Sequence, residues 1–299
     1  VPERIERILS MAFNWIELAR TPAAERRIAI VLHHYPPRPE CLGCAFGLDT
    51  YESIKVMIDA LSDAGYEVGR QWETGDELCD VLLNATVLGE KYLQLDELVR
   101  RAVSTAPEGD ETAGDWHRRW PESISTKLED RWGEPPGTIL AQGGRYLIGG
   151  LRQGNLFIGF QPPRGFIEGV EGEIGVPVAE ENATVHDPNL PPTHHYLAFY
   201  RWIRECFGAQ AIIHMGTHGT LEWLPGKGSG LSRDCFPDAA ISDIPHLYPY
   251  IVSNPGEGTQ VKRRSYGVIV DHLVPPQMNA GLIPELGDLE EGLVEDGSV

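Results

Sequence analysis

A chain of 299 residues with a formal net charge of −19 can bury one large core or two smaller ones. That acidity excludes nucleic acid and anionic membranes as principal partners. Hydrophobic residues at 41% and charged residues at 23% fit a folded, water-exposed protein, and no apolar run approaches the roughly 18 residues of a membrane span.

Five cysteines do not make a complete disulfide framework, so a reducing, cytoplasmic setting is expected. The pair in Cys41-Leu42-Gly43-Cys44 supplies half the ligands of a structural zinc, and free thiols are the expectation. The chain opens on Val1 within a charged, helix-like run and shows no signal peptide, as expected of a portion of a longer polypeptide.

Residues 1–26 are predicted as a helix and its exit, with Ile5, Ile8, Leu9, Ala12, Ile16 and Leu18 on one face. Residues 27–32 form a buried strand run. His33 and His34 follow at its carboxyl end, facing either a cleft or solvent. Asp49 caps the next helix, which presents Ile54, Met57, Ile58 and Leu61 and ends near Gly65. Tyr66–Val68 reads as a short strand, and helical patterns surround Leu78–Leu83 and Leu93–Val103. Residues 105–137 are polar but hold Trp116, Trp120 and Trp132, predicting either a lid over the sheet or a packed surface loop.

Thr138–Ala141 and Arg145–Ile148 pair across Gly143-Gly144, and Asn155–Phe160 is a further strand. It leads into the stiff turn Gln161-Pro162-Pro163-Arg164-Gly165. Gln161, Arg152 and Arg164 are candidates for meeting ligand carboxylates or amides, although each arginine taken singly reads equally as a surface residue. A Gly, Glu and Pro-rich link follows and ends at His186-Asp187-Pro188. Thr193 then caps a helix whose Tyr196, Phe199, Tyr200, Ile203 and Phe207 form a core stripe. His194 and His195 lie in its first turn, where the dipole favours neutral imidazole.

Ala211–Met215 is a short buried strand. The Gly-rich turn after it gathers His214, His218, Glu222 and Lys227 at the carboxyl end of the strand, the edge where open α/β sheets bind ligands. His218 and Glu222 are one helical turn apart. From the residues alone this is a metal site, a hydrolase site or an anion site. Leu247–Val252 and Tyr266–Leu273 are the last strands, and the intervening Asn254–Gln260 lacks the ending of a phosphate loop. The tail from Gly281 is acidic and reads as the start of another helix.

The alternation predicts an α/β fold of mostly parallel sheets flanked by helices, an arrangement that allows two α/β subdomains with a ligand cleft between them. The division is 1–26 as helix and linker, 27–150 as a first α/β half, 151–278 as a second half carrying the His/Glu stretch, and 279–299 as the start of a further helical region.

His214-Met215-Gly216-Thr217-His218-Gly219-Thr220-Leu221-Glu222-Trp223-Leu224-Pro225-Gly226-Lys227 resembles the signature of the large subunits of cobaltochelatase (CobN) and magnesium chelatase (the H subunit). Gly47–Thr50, Gly154–Gly165, His186–Pro192 and Asn254–Arg264 extend the resemblance over nearly the whole chain. Gln161–Gly165, His194–Tyr200 and Gly256–Gln260 look like the cobalt branch. The Cys41–Cys44 segment departs from the small Asn- and Gly-containing loop of the family.

The resemblance implies a cytoplasmic, ATP-dependent chelatase whose large subunit binds a tetrapyrrole and the metal. Separate AAA+ type subunits hydrolyse the ATP. It implies Co2+ and a corrin precursor as substrates, with Mg2+ and protoporphyrin IX as the alternative, and a binding module without activity of its own as another. His214 and His218 are then assigned to metal delivery or proton acceptance, with Glu222 as general base and His186 as a further metal ligand. Lys227, Arg152, Arg164, Gln161, His194 and His195 are assigned to the arms of the ring.

Overall fold

Consecutive apolar residues without polar alternation set the middle of the fold. The computed structural model describes residues 2–33, 42–45, 47–88, 94–165, 187–216, 219–251 and 255–272. In chain order these form α1 (Pro2–Arg20), β1 (Ile28–Leu32), α2 (Thr50–Asp63), α3 (Gly75–Ala85), α4 (Leu95–Arg101) and β2 (Ala102–Ala106). Next come α5 (Ala113–His117), α6 (Glu122–Trp132), β3 (Ala141–Gln142), β4 (Arg145–Gly149), β5 (Leu151–Gln153) and β6 (Leu156–Phe160). The remainder is α7 (His194–Glu205), β7 (Ala211–Met215), α8 (Phe236–Ile241), β8 (His246–Ile251), α9 (Pro255–Arg264) and β9 (Val268–His272).

All five residues of β1 and of β6 are buried, the mark of strands covered on both faces. The main sheet has the order β5-β6-β1-β7-β8-β9, and every pairing is parallel except β5 with β6. Ala29, Val31, Phe157 and Ile212 face α7 and α8, while Ile28, Ile30, Ile158 and Ala211 face α2 and α3. The expected parallel α/β architecture is therefore present. β1 is hydrogen-bonded to both β6 and β7, so one sheet draws strands from both sides of residue 150.

Caps appear where the side chains dictate. Asp49 accepts from the Glu52 amide and Thr193 from the Tyr196 amide, both at 3.1 Å. Glu52 turns outward and accepts from the Gly75 amide at 2.7 Å, joining α2 to α3.

Several expectations change. Tyr66–Val68 forms no strand, because Asn155 supplies only one backbone bond, to Glu67 at 2.7 Å, and the Gln153 side chain takes the Val68 carbonyl at 2.9 Å. The helical pattern read to Val103 stops at Arg101, and Ala102–Ala106 pairs antiparallel with β4 instead. The lid considered over 105–137 is core-forming: Trp116, Ile124 and Leu128 are buried with the inner face of α7. The apolar face of α1 points outward, because the polar face makes the contacts with the fold. Among the described residues no helix is long and apolar enough to cross a membrane.

Candidate functional site

A buried polar chain crosses the face of the sheet that carries α7. β7 brings in His214, β8 brings in His246 and Tyr248, and the ends of β1 and β6 supply His33 and Gln161. α7 supplies Tyr196 and Tyr200, one turn apart on its buried side.

The Ser265 carbonyl only accepts, so the His246 Nδ1–H donates to it at 2.9 Å. His246 Nε2 then accepts from His214 Nδ1 at 2.7 Å, and His214 Nε2 accepts from the Tyr200 hydroxyl at 2.8 Å. Tyr200 in turn accepts from Gln161 Nε2 at 2.6 Å. Gln161 Oε1 accepts from the Thr220 amide at 2.8 Å and hydroxyl at 3.0 Å, and the Tyr196 hydroxyl donates to Thr220 Oγ1 at 3.0 Å. Neutral imidazoles are required throughout. Burial holds His214 well below its ordinary pKa, with His246 and His33 adding to the effect, and lowers His246 to about 4. Burial also keeps Tyr200 protonated, well above its ordinary value.

Glu222 sits beside this chain on a single 3-10 turn, Leu221–Trp223, and is 1% exposed. Its Oε1 accepts from the Tyr248 hydroxyl at 3.3 Å and the Gly219 amide at 3.4 Å. Tyr248 also meets His33 Nε2 at 3.3 Å, and its ring lies 6.0 Å from that of His214. Glu222 Oε2 is buried with no hydrogen-bond partner. Burial pushes the carboxyl up to about 7, against the opposing pull of its hydrogen bonds. A carboxyl of this kind exchanges a proton near neutral pH.

The glycines of the turn have a steric reason. A Cβ at Gly216, where φ is +140°, would lie 2.7 Å from His33 Nδ1. One at Gly219 would lie 2.8 Å from His33 Nε2 and 3.0 Å from Gln161 Oε1. His33 thus packs directly on the turn backbone.

Of the residues singled out by sequence, His214, Glu222 and Gln161 come together here. His218 and His186 lie outside the described residues. His214 has both ring nitrogens committed, so a metal would have to displace Tyr200 or His246. Among the described residues no group of three or more His, Cys, Asp or Glu side chains is arranged to hold a metal ion.

The remaining candidates are placed elsewhere. The Arg164 guanidinium is buried and donates to the carbonyls of Trp223 at 3.0 Å, Asp187 at 2.6 Å and Leu190 at 3.3 Å. Arg152 is exposed on the edge strand β5, its guanidinium 5.5 Å from the Phe207 ring centroid, and the Lys227 side chain is exposed. His194 bonds the Gly133 carbonyl and His195 the Leu147 carbonyl, both at 2.8 Å, tying α7 to the end of α6 and to β4. Sequence reasoning missed Tyr200, Tyr196, Thr220, His246 and Tyr248. A polar residue opening an otherwise apolar strand was the available signal for His246.

The CobN/Magnesium Chelatase family model matches residues 1–295. The chain is 41% identical over 96% of its length to the aerobic cobaltochelatase CobN of Pseudomonas aeruginosa, covering 22% of that protein. It is 34% identical over 99% of its length to the magnesium-chelatase large chain of Chlorobaculum parvum, again covering 22%. A solved catalytic subunit of cobaltochelatase from Mycobacterium tuberculosis superposes with a TM-score of 0.80 at 37% identity, over 100% of this chain and 24% of that one. The chain therefore spans less than a quarter of the length of these relatives.

Proposed function

Because the chain belongs to the CobN/magnesium chelatase family, we propose that it is part of the large subunit of an ATP-dependent cobaltochelatase. It holds a tetrapyrrole of the corrin-precursor class while Co2+ is inserted, and separate AAA+ type subunits hydrolyse the ATP. The higher identity to CobN, 41% against 34% for the magnesium enzyme, favours cobalt over magnesium and protoporphyrin IX.

The observation that carries the reading is Glu222, a fully buried carboxyl with a free oxygen and a pKa of about 7. Insertion of a divalent ion releases two ring N–H protons, and a carboxylate poised near the working pH suits accepting one. His218, two residues before Thr220, is the ligand we assign to the incoming ion together with Glu222, since imidazole suits cobalt. His214 has the supporting role. Its bonds to Tyr200 and His246 fix the strand end from which the turn departs.

Glu222→Gln keeps size and removes the base. In the complex with its ATPase subunits, cobalt insertion is expected to fall by about two orders of magnitude. Ring affinity, read from the Soret absorbance, is expected to stay within a few-fold. Lost ring binding with insertion per bound ring intact would make Glu222 a positioning residue instead. Titration with corrin-type and porphyrin rings, each with Co2+ and Mg2+, separates the two metal branches.

A further inference from the structure

Helix α1 meets the fold through its polar side. Arg4 donates to the Asp238 carboxylate at 2.9 and 3.1 Å, and Arg7 to the same group at 3.2 Å. Asn14 donates to the Asp243 carbonyl at 2.9 Å, and Ser10 bonds the Asp243 carboxylate. The outward side carries Ile5, Ile8, Leu9, Phe13 and Ile16, each between 45% and 66% exposed. Ile5, Leu9, Ala12 and Ile16 follow the four–three–four spacing of a helix-pairing seam, on a helix roughly 28 Å long at 1.5 Å per residue.

The stripe does not end at the helix. Ile8 and Met11 also line a cleft of about 400 Å³ whose far wall is Leu231, Tyr266 and Arg263. Arg263 is exposed in the last turn of α9. An apolar seam continuous with a cleft exceeds the scattered exposure normal for a monomer surface.

We infer that this face and cleft seat an amphipathic helix belonging to the further polypeptide of the longer family chains, its apolar stripe flanked by a carboxylate that meets Arg263. The inference rests on the reading of this chain as part of a chelatase large subunit. Two observations select that occupant. The relatives carry more than three quarters of their length beyond the matched region. A second copy is disfavoured because two chains of net charge −19 repel one another.

The test places Leu9→Cys in the 299-residue chain and in a chelatase polypeptide that carries the same sequence with its flanking regions. Maleimide labelling is followed on the peptide containing residue 9, and sedimentation velocity is recorded for both proteins. Labelling is expected to be at least about tenfold slower in the longer polypeptide, as for a site reached only through local opening. Ile5→Glu combined with Phe13→Glu is expected to restore fast labelling there while leaving the shorter chain folded. Equal labelling in the two proteins overturns the inference. So does slow labelling of a dimeric 299-residue chain, which makes a second copy the occupant.

Cobalt insertion by the longer polypeptide with its ATPase subunits is measured in parallel. Protection of residue 9 without insertion sinks the chelatase reading and leaves the docking face. Insertion with residue 9 open to reagent sinks the docking face alone.

Discussion

Glu222 couples stability to pH with a sign that its burial fixes. The folded carboxyl titrates near 7, against an ordinary value of 4.5. Between these values the folded state holds a proton that the unfolded state has lost. The stability from this group is complete below about pH 4.5 and is lost as pH rises through 7, by up to about 3 kcal/mol. His195 and His246 oppose it. Both are lowered by burial to about 4 from 6.5, so their contribution is lost as pH falls from 6.5 towards 4.

The pH profile of the native chain mixes these effects, and the difference from Glu222→Gln isolates one. In urea titrations between pH 4 and 8, that difference is expected to shift in favour of the Gln variant by up to about 3 kcal/mol. A flat difference would mean that the carboxyl is solvated.

At this scale the sequence revealed the local part of the site. His214 and Glu222 stand within nine residues of each other on one Gly-rich turn, and Gln161 lies in a stiff turn at a strand end. Tyr200 was invisible as a site residue, because an aromatic on a helical stripe carries the same periodicity whether or not its hydroxyl has a partner. His246 and Tyr248 come from another strand, and their contact with His214 depends on register.

Elements carry a different set of consequences. The loop around Asp187–Leu190 and the 3-10 turn of Glu222 are joined by one guanidinium, that of Arg164. Sequence suggested that this arginine meets the arms of a ring. The structure spends its fork on three protein carbonyls.

Arg164→Ala is therefore expected to lower stability by about 2–3 kcal/mol, since it leaves buried carbonyls without a donor. Ring affinity per folded molecule is expected to be unchanged. Arg164→Lys keeps the charge but not the fork, and is expected to recover less than half of the loss. A urea midpoint at the native value for the Ala variant would show that the carbonyls find other donors.

The same scale explains α1. Periodicity announced an apolar face and could not say which face meets the fold. Arg4, Arg7, Ser10 and Asn14 lie at near-heptad spacing on the opposite side, and their partners Asp238 and Asp243 stand more than two hundred residues away.

Across the whole molecule the central strand decides how the chain behaves as a unit. Strands and helices were legible one at a time, because buried apolar runs and capping residues are local signals. Strand order was not, because it follows from which run finds which edge. A division near residue 150 follows from reading the halves in sequence, yet β1 lies between β6 and β7 with five register pairs to each. Cutting there removes both neighbours of β1 and separates it from β5-β6 on one side and β7-β8-β9 on the other.

His195 adds a second tie. It bonds the Leu147 carbonyl of β4 from α7, so the small sheet also leans on the later half. Segments 1–150 and 151–299, made separately, are thus each expected to lack native near-ultraviolet circular dichroism and amide dispersion. The intact chain is expected to unfold in urea as a single step, with far- and near-ultraviolet signals coincident. A native-like spectrum from residues 151–299 alone, or two resolved transitions in the intact chain, would mean that the halves hold separate cores and that the β1 ladder is an interface between them. Coincident transitions would instead make the buried chain from Ser265 to Thr220 part of one cooperative core. Substitutions at Tyr200 or His246 would then lower the stability of the whole fold rather than loosen one half.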